Sequence, residues 1–176
     1  MTQIGPDVAV RAATLDDARA VAEIHVRGWR WGYRGQIPEG ILDELSVDRR
    51  ESWWREVIEQ HREHRLWVAE RDDRILGFAA TQPSEDEDAT PEIAQIAAIY
   101  IEEDAAGTGV GRALTRHALA DFRARGFRTA VWWVLETNVR TRRFLDRGGW
   151  RTDGATKTED VRGFTLREVR YRIALD

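Results

Sequence analysis

The segment "IAAIYIEEDAAGTGVGRAL", residues 96–114, constrains the fold more than any other. A nearly continuous apolar run from Ile93 to Ile101 reads as a strand covered on both faces. It leads into glycines at 107, 109 and 111, where an amphipathic helix begins. Val110, Leu114, Ala118 and Phe122 share one face of that helix, and Gly126 ends it. A helix start presents unpaired N–H groups and a partial positive charge, and glycines there let a phosphate reach the backbone. A nucleotide-binding Walker loop is excluded, because Gly111 is followed by Arg112 and Ala113 rather than Lys and Ser/Thr. A dinucleotide fingerprint fails too: the third glycine comes one residue early and the loop lies late in the chain. On the glycines alone, a phosphate cradle and a ligand-free turn both stand.

The remaining segments predict a mixed architecture within one domain spanning residues 1–176, with a core over about 8–175. Val8–Ala13 alternates as a first strand, and Thr14 with Asp17 starts a helix that runs to about Arg30. "PEGILDEL" and "DRRESWWREVIEQH" read as a short and a longer helical piece. "RLWVAE" and "RILGFAAT" form a hairpin around Asp72–Asp73. "PSEDEDATP" is a charged, proline-bounded loop and is expected to be mobile. "FRTAVWWVLE" is a second central strand, "NVRTRRFLDRGG" a helix from an Asn cap to two glycines, and "WRTDGATKTED" with "LREVRYRIAL" a closing antiparallel pair.

Composition narrows the function classes. The chain has no cysteine, which excludes disulfides, thiolate metal sites and a cysteine nucleophile. A net charge of −4 argues against general nucleic-acid binding, although the arginine-rich "RTRRFLDR" helix keeps a nucleic-acid-modifying role as a minor alternative. No window is apolar enough for a membrane span and the first ten residues lack a signal-peptide pattern, so a cytoplasmic location is the default. His61 and His64 are three apart, but "HREHR" reads as a solvated face rather than a metal site, and no metal is expected. A twofold homodimer is the commonest assembly for such a chain.

The combined pattern resembles the GCN5-related N-acetyltransferase (GNAT) superfamily. The resemblance rests on the strand and glycine loop above, and on "VWWVLETNVRTRRFLDRGGW", where Asn138 and Gly149–Trp150 occupy motif positions. It covers about the whole chain. It implies an α/β (α+β) fold with a mixed central sheet of six to seven strands, helices on both faces, and a V-shaped splay between strands 4 and 5. It also implies acetyl-CoA as co-substrate. The pantetheine arm would pair with backbone near Ile99, Tyr100 and Ile101. The pyrophosphate would sit on Gly107, Thr108, Gly109, Val110, Gly111 and Arg112, with Asn138 and Phe144 flanking the arm. The activity implied is N-acetylation of a primary amine on a small molecule or peptide, by direct attack in a ternary complex. The alternative is a non-catalytic acyl-CoA-binding sensor or regulatory module.

Two departures from the family pattern bear on that choice. Ala106 stands where Arg or Gln is usual, and Leu145 where many members carry the tyrosine that protonates the departing thiolate. Leucine cannot donate a proton. Gln95 stands where a Glu is frequent and cannot act as a base. The candidate catalytic groups are therefore Glu136, at the end of the second central strand, and Tyr100. Each also has a plainer role, as a solvated strand-end charge and a packing side chain respectively.

Trp29, Trp31 and Tyr33 are the candidate walls of the acceptor pocket, suited to an apolar or cationic group. Trp29 and His25 also fall on the apolar face of the first helix, where core packing is the alternative. Adjacent Trp53 and Trp54 must point apart on a helix, and adjacent Trp132 and Trp133 must face opposite sides of a sheet.

Overall fold

The computed structural model describes residues 8–60 and 62–176; His61, half of the histidine pair, lies outside them. The elements are β1 (Ala9–Ala12), α1 (Ala18–Gly32), α2 (Glu39–Asp43), α3 (Val47–Gln60), β2 (Arg65–Arg71), β3 (Arg74–Pro83), β4 (Ile93–Ile101), α4 (Val110–Ala124), β5 (Thr129–Leu135), α5 (Val139–Arg147), β6 (Arg151–Val161) and β7 (Phe164–Ala174). The strands form one seven-stranded sheet in the order β1-β2-β3-β4-β5-β7-β6. All neighbours are antiparallel except β4 and β5.

Alternation along the strands divides the core between the two faces. Leu66, Val68 and Phe78 face α1 and α3, where Val21, Ala22, Ile24, Trp54 and Val57 close over them. Trp67, Ala69 and Ala79 face the other way, onto Val110 and Leu114 of α4. Further along α4, Ala118 and Phe122 join Ala94, Ile96, Ala130 and Trp132, and Leu145 of α5 completes that cluster with Trp150. Asp72 and Asp73 turn the β2–β3 hairpin at φ of 51° and 60°. The two tryptophan pairs divide as their spacing requires. Trp54 is buried while Trp53 is 47 % exposed, and Trp132 is in the core while Trp133 lies on the opposite face.

The parallel pair is short, and that positions the site. β4 and β5 are in register only from Ile93–Ile96 against Thr129–Trp132. Beyond Ile96, β4 continues against β3 to Ile101, and β5 continues against β7 to Leu135. Ala97 is an extra residue in the β3–β4 ladder, since Ala80 pairs with Ala98 and Thr81 with Ile96. Such a bulge bends its strand, and it stands where β4 leaves β5. The result is a wedge whose β4 wall, from Ala97 to Ile101, has backbone unpaired with β5.

The charged loop between β3 and β4, expected to be mobile, has carboxylates bonded to the sheet. Arg170 on β7, 7 % exposed, bonds Asp86 at 2.9 Å, Asp88 at 2.6 Å and Asp153 of β6 at 2.8 Å. Trp133 Nε1 donates to Asp86 at 3.0 Å. Charge alone suggests a solvated loop, but here its carboxylates neutralise a buried arginine more than 80 residues away in sequence.

Candidate active site

The glycine loop sits at the mouth of the wedge. After β4, a 3-10 turn at Glu103–Ala105 leads to Gly107 and Gly109, with φ of +78° and +97°. Gly109 is the residue capping α4, a left-handed conformation that a residue with a Cβ rarely adopts. The first helical bond runs from Ala113 N to Gly109 O at 2.9 Å. The N–H groups of Val110, Gly111 and Arg112 precede it and have no intrahelical acceptor. No acidic residue occupies the first turn of α4, although acids are favoured there when the helix dipole faces water. Gly107, Thr108 and Gly109 are exposed. The loop is thus an open row of backbone donors at a helix start with no carboxylate in its first turn, an arrangement suited to an anion.

Gly111 has a different reason to be glycine. A Cβ there would lie 2.9 Å from Ile101 Cδ1 and 3.9 Å from the Phe144 ring. The end of β4, the start of α4 and the middle of α5 therefore converge at this residue. Phe144 is 36 % exposed beside it. Asn138 caps α5, its Oδ1 accepting from Thr141 N at 3.1 Å. Leu145, one residue on, is fully buried in the core and brings no proton donor.

On the α1 side of the sheet, Tyr100 packs flat against the helix because residue 28 is glycine: a Cβ there would lie 2.9 Å from the ring. His25 stacks on Tyr100 at 4.9 Å between ring centres, and its Nδ1 accepts from Trp54 Nε1 at 3.2 Å. Burial, reinforced by Arg50, holds the His25 pKa down to about 3, so this imidazole is neutral. Burial raises the Tyr100 hydroxyl well above its ordinary value, and the neighbouring Tyr33 hydroxyl adds to the effect. Tyr33 is raised by burial as well, partly offset by its bond to Tyr100. Both phenols are protonated at neutral pH. Trp29 stands edge-on to Tyr33 at 5.0 Å. Its buried Nε1 is directed at the Tyr100 hydroxyl and counters a little of that rise, at a geometry looser than a full hydrogen bond.

The sequence candidates therefore fall into three groups. Ile101, the glycine loop and Phe144 meet on the α4 side. Trp29, Tyr33 and Tyr100 meet on the α1 side. Glu136 stands apart at the end of β5, exposed and 3.5 Å from Arg167. Trp31 lies under the Arg140 guanidinium at 4.2 Å. Sequence reading missed Arg140 and Thr137. An arginine at the start of a helix facing a tryptophan more than 100 residues earlier carries no local signal.

Known proteins resemble this chain in sequence and in fold. The family model described as "Acetyltransferase (GNAT) family" matches residues 20–150. A probable N-acetyltransferase of Mycobacterium tuberculosis is 27% identical over 176 residues, covering 95% of this chain and 94% of its own. A mycothiol acetyltransferase of Cellulomonas flavigena is 37% identical over 78% of this chain, which spans 38% of that longer protein. The structure of a putative acetyltransferase from Salmonella typhimurium, solved with its cofactor acetyl-CoA, superposes with a TM-score of 0.72 at 19% identity, covering 97% of this chain and 95% of that one. No helix among the described residues is long and apolar enough to cross a membrane. The open β4 edge, the glycine-capped α4 and these relatives lead to one assignment: the chain belongs to the acetyltransferase (GNAT) family of N-acetyltransferases.

Proposed function

We propose that the protein transfers the acetyl group of acetyl-CoA to a primary amine of a small molecule or peptide, by direct attack in a ternary complex. The observation that carries this reading is the wedge. It combines a β4 edge unpaired with β5 and a row of unpaired N–H groups at the start of α4, where Gly111 lies against Ile101. In this reading the backbone of Ile99, Tyr100 and Ile101 pairs with the pantetheine arm. The amides from Gly107 through Thr108, Gly109, Val110 and Gly111 to Arg112 take the pyrophosphate, and Asn138 and Phe144 border the arm. Ala106 costs one side-chain contact, which leaves the backbone donors in place.

The amine nitrogen forms a bond to the acetyl carbonyl carbon, the C–S bond breaks, and CoA leaves as thiolate. The nitrogen then gives up a proton and the thiolate takes one. Without a cysteine the chain cannot carry an acyl-cysteine intermediate, which favours direct attack. The thiolate's proton needs a donor other than Leu145. Tyr100, protonated and beside the β4 edge, is the candidate. Glu136 is the candidate for receiving the amine's proton through solvent. Trp29, Trp31 and Tyr33 form the acceptor wall.

The test is thiol release from acetyl-CoA across amino sugars, arylalkylamines, amino acids and lysyl peptides. Turnover on any of them, by a sequential rather than ping-pong pattern, is the expected result. A ping-pong pattern with an isolable acyl-enzyme contradicts it.

A further inference from the structure

We infer that the acceptor carries a carboxylate close to its amine, and that the cleft beside Trp31 holds this carboxylate on the Arg34 guanidinium. The word acceptor rests on the acetyl-transfer reading above; the anion site itself rests on geometry and charge. The cleft has a volume of about 190 Å³ and lies between α1 and the end of β4, against Gly28 and Ile101. Ile101 ends the stretch of β4 that is unpaired with β5, so the cleft adjoins the wedge. Arg27, Arg30 and Arg34 line it with Trp31, and Glu102 and Glu103 line it from the β4 side. Spacings of three and four residues bring the three arginines to one side of α1 and the turn that follows it.

What each charge already does decides which one is left for a ligand. Arg27 grips both oxygens of Glu102, at 2.5 and 3.2 Å, so these two neutralise each other. Arg30 donates to the carbonyls of Leu42, Asp43 and Leu45 at 3.2, 3.4 and 3.3 Å. Those bonds fix the end of α2 and leave the arginine's charge without a carboxylate. Arg34 is exposed, and its side chain has no hydrogen bond or ion pair among the described residues. Its backbone is set by a bridge to Ile37, which is buried. The guanidinium is thus unengaged while its base is anchored. Arg140 lies over the Trp31 ring at 4.2 Å, also without an acid among the described residues. The chain as a whole is negative, at −4, yet Arg30, Arg34 and Arg140 around Trp31 all lack a carboxylate.

A guanidinium with its N–H edges unengaged matches a carboxylate in a planar, paired contact, and Trp31 offers an apolar wall beside it. Glu103, on the β4 side, is exposed and has no side-chain partner among the described residues. It limits the anion that fits. A monoanion gains from the surplus positive charge, whereas a dianion such as a phosphate monoester meets repulsion from Glu103 at the same opening. The cleft is smaller than the pockets that enclose drug-sized ligands, which start at about 300 Å³, and suits a molecule of amino-acid size. The acceptor class that fits is therefore a free amino acid, its carboxylate on Arg34 and its amine reaching the wedge, rather than a plain amine or a lysyl peptide.

The test compares L-leucine, L-phenylalanine, L-methionine and β-alanine, each with the amine that lacks its carboxylate. Thiol release from acetyl-CoA is followed with the unaltered chain, Arg34→Gln, Arg34→Lys and, as a control on α3, Arg49→Gln. In pairs that turn over, the carboxylate member is expected to have the lower KM. Arg34→Gln is expected to raise that KM about tenfold, the scale of one charge-assisted hydrogen bond, with kcat little changed and the KM of the plain amine unaltered. Arg34→Lys keeps the charge and loses the fork, so it should recover part of the loss, and Arg49→Gln should change nothing. Equal KM values within every accepted pair, or an Arg34→Gln effect that is absent or the same on both members, overturns the inference. If no amine turns over, calorimetric titration of the same compounds into the chain with CoA present decides it. Binding of the carboxylate members, lost in Arg34→Gln, keeps the anion site and counts against acetyl transfer. Binding of neither member, or of both alike, overturns the site.

Discussion

Gly111 and Ile101 meet so closely that a Cβ on the glycine would stand 2.9 Å from the isoleucine Cδ1. Through that contact the start of α4 is held against the end of β4, which brings the loop donors to the wedge. The contact is with the free end of a side chain, so one methyl can be absorbed by a small rotation. Gly111→Ala is therefore expected to be near neutral, because alanine's better helix propensity offsets the crowding. Gly111→Val has no such relief and is expected to cost about 1–3 kcal/mol by overpacking. Urea unfolding midpoints of the two variants check this.

Tyr100 has two roles to separate, packing against Gly28 and donating a proton. Tyr100→Phe keeps the ring stack with His25 and removes only the hydroxyl. If the phenol protonates the thiolate, kcat on an accepted amine falls about 10²-fold or more while acetyl-CoA affinity stays the same. An unchanged kcat would return Tyr100 to a packing role.

His25 sets a pH dependence whose sign follows from its burial. Its pKa is about 3 in the folded chain against an ordinary 6.5. Between those values the unfolded chain binds a proton that the folded chain refuses, so stability falls as pH drops below 6.5. From pH 7 to 5.5 the loss is about 1 kcal/mol from this group. Denaturant unfolding at the two pH values, in the unaltered chain and in His25→Gln, isolates it. The variant should lose that much less.

Arg170 joins three carboxylates from the β3–β4 loop and β6. Removing it leaves those charges to the half-exposed Arg172, 3.2 Å from Asp153 and 4.0 Å from Asp88, so Arg170→Met is expected to destabilise by about 2 kcal/mol. It should also release residues 84–90 to faster hydrogen exchange. Adding Asp153→Asn should recover part of the loss. A stable Arg170→Met chain with a protected loop would show that the network adds little.

The parts of the molecule legible in sequence are those with local signals. The apolar run of β4, the alternating glycines, the helical face from Val110 to Phe122 and the Asp72–Asp73 turn each express a short-range physical rule. They are enough to place the phosphate-type loop after a central strand. The pinned β3–β4 loop was not legible, because Asp86 and Asp88 meet Arg170 across 84 and 82 residues. The Trp31–Arg140 contact likewise joins residues that only the folded sheet brings together. The short reach of the β4–β5 pairing depends on a bulge at Ala97, a residue that looks like any other in an apolar strand. Features defined by backbone were therefore readable, and those defined by long-range side-chain contacts were not.

The central claim is that the bare backbone at the start of α4 binds the diphosphate of acetyl-CoA. Calorimetric titration of the chain and of Gly109→Trp with acetyl-CoA tests it most directly. Nothing lies within 4 Å of a Cβ at Gly109, so the bulky side chain can project without clashing with the protein at that atom. It would occupy the ligand's approach, and at a φ of +97° it also strains the cap. One-to-one binding by the unaltered chain, abolished in a folded Gly109→Trp, is the predicted result. No binding by the unaltered chain, or the same affinity in Gly109→Trp, would contradict it.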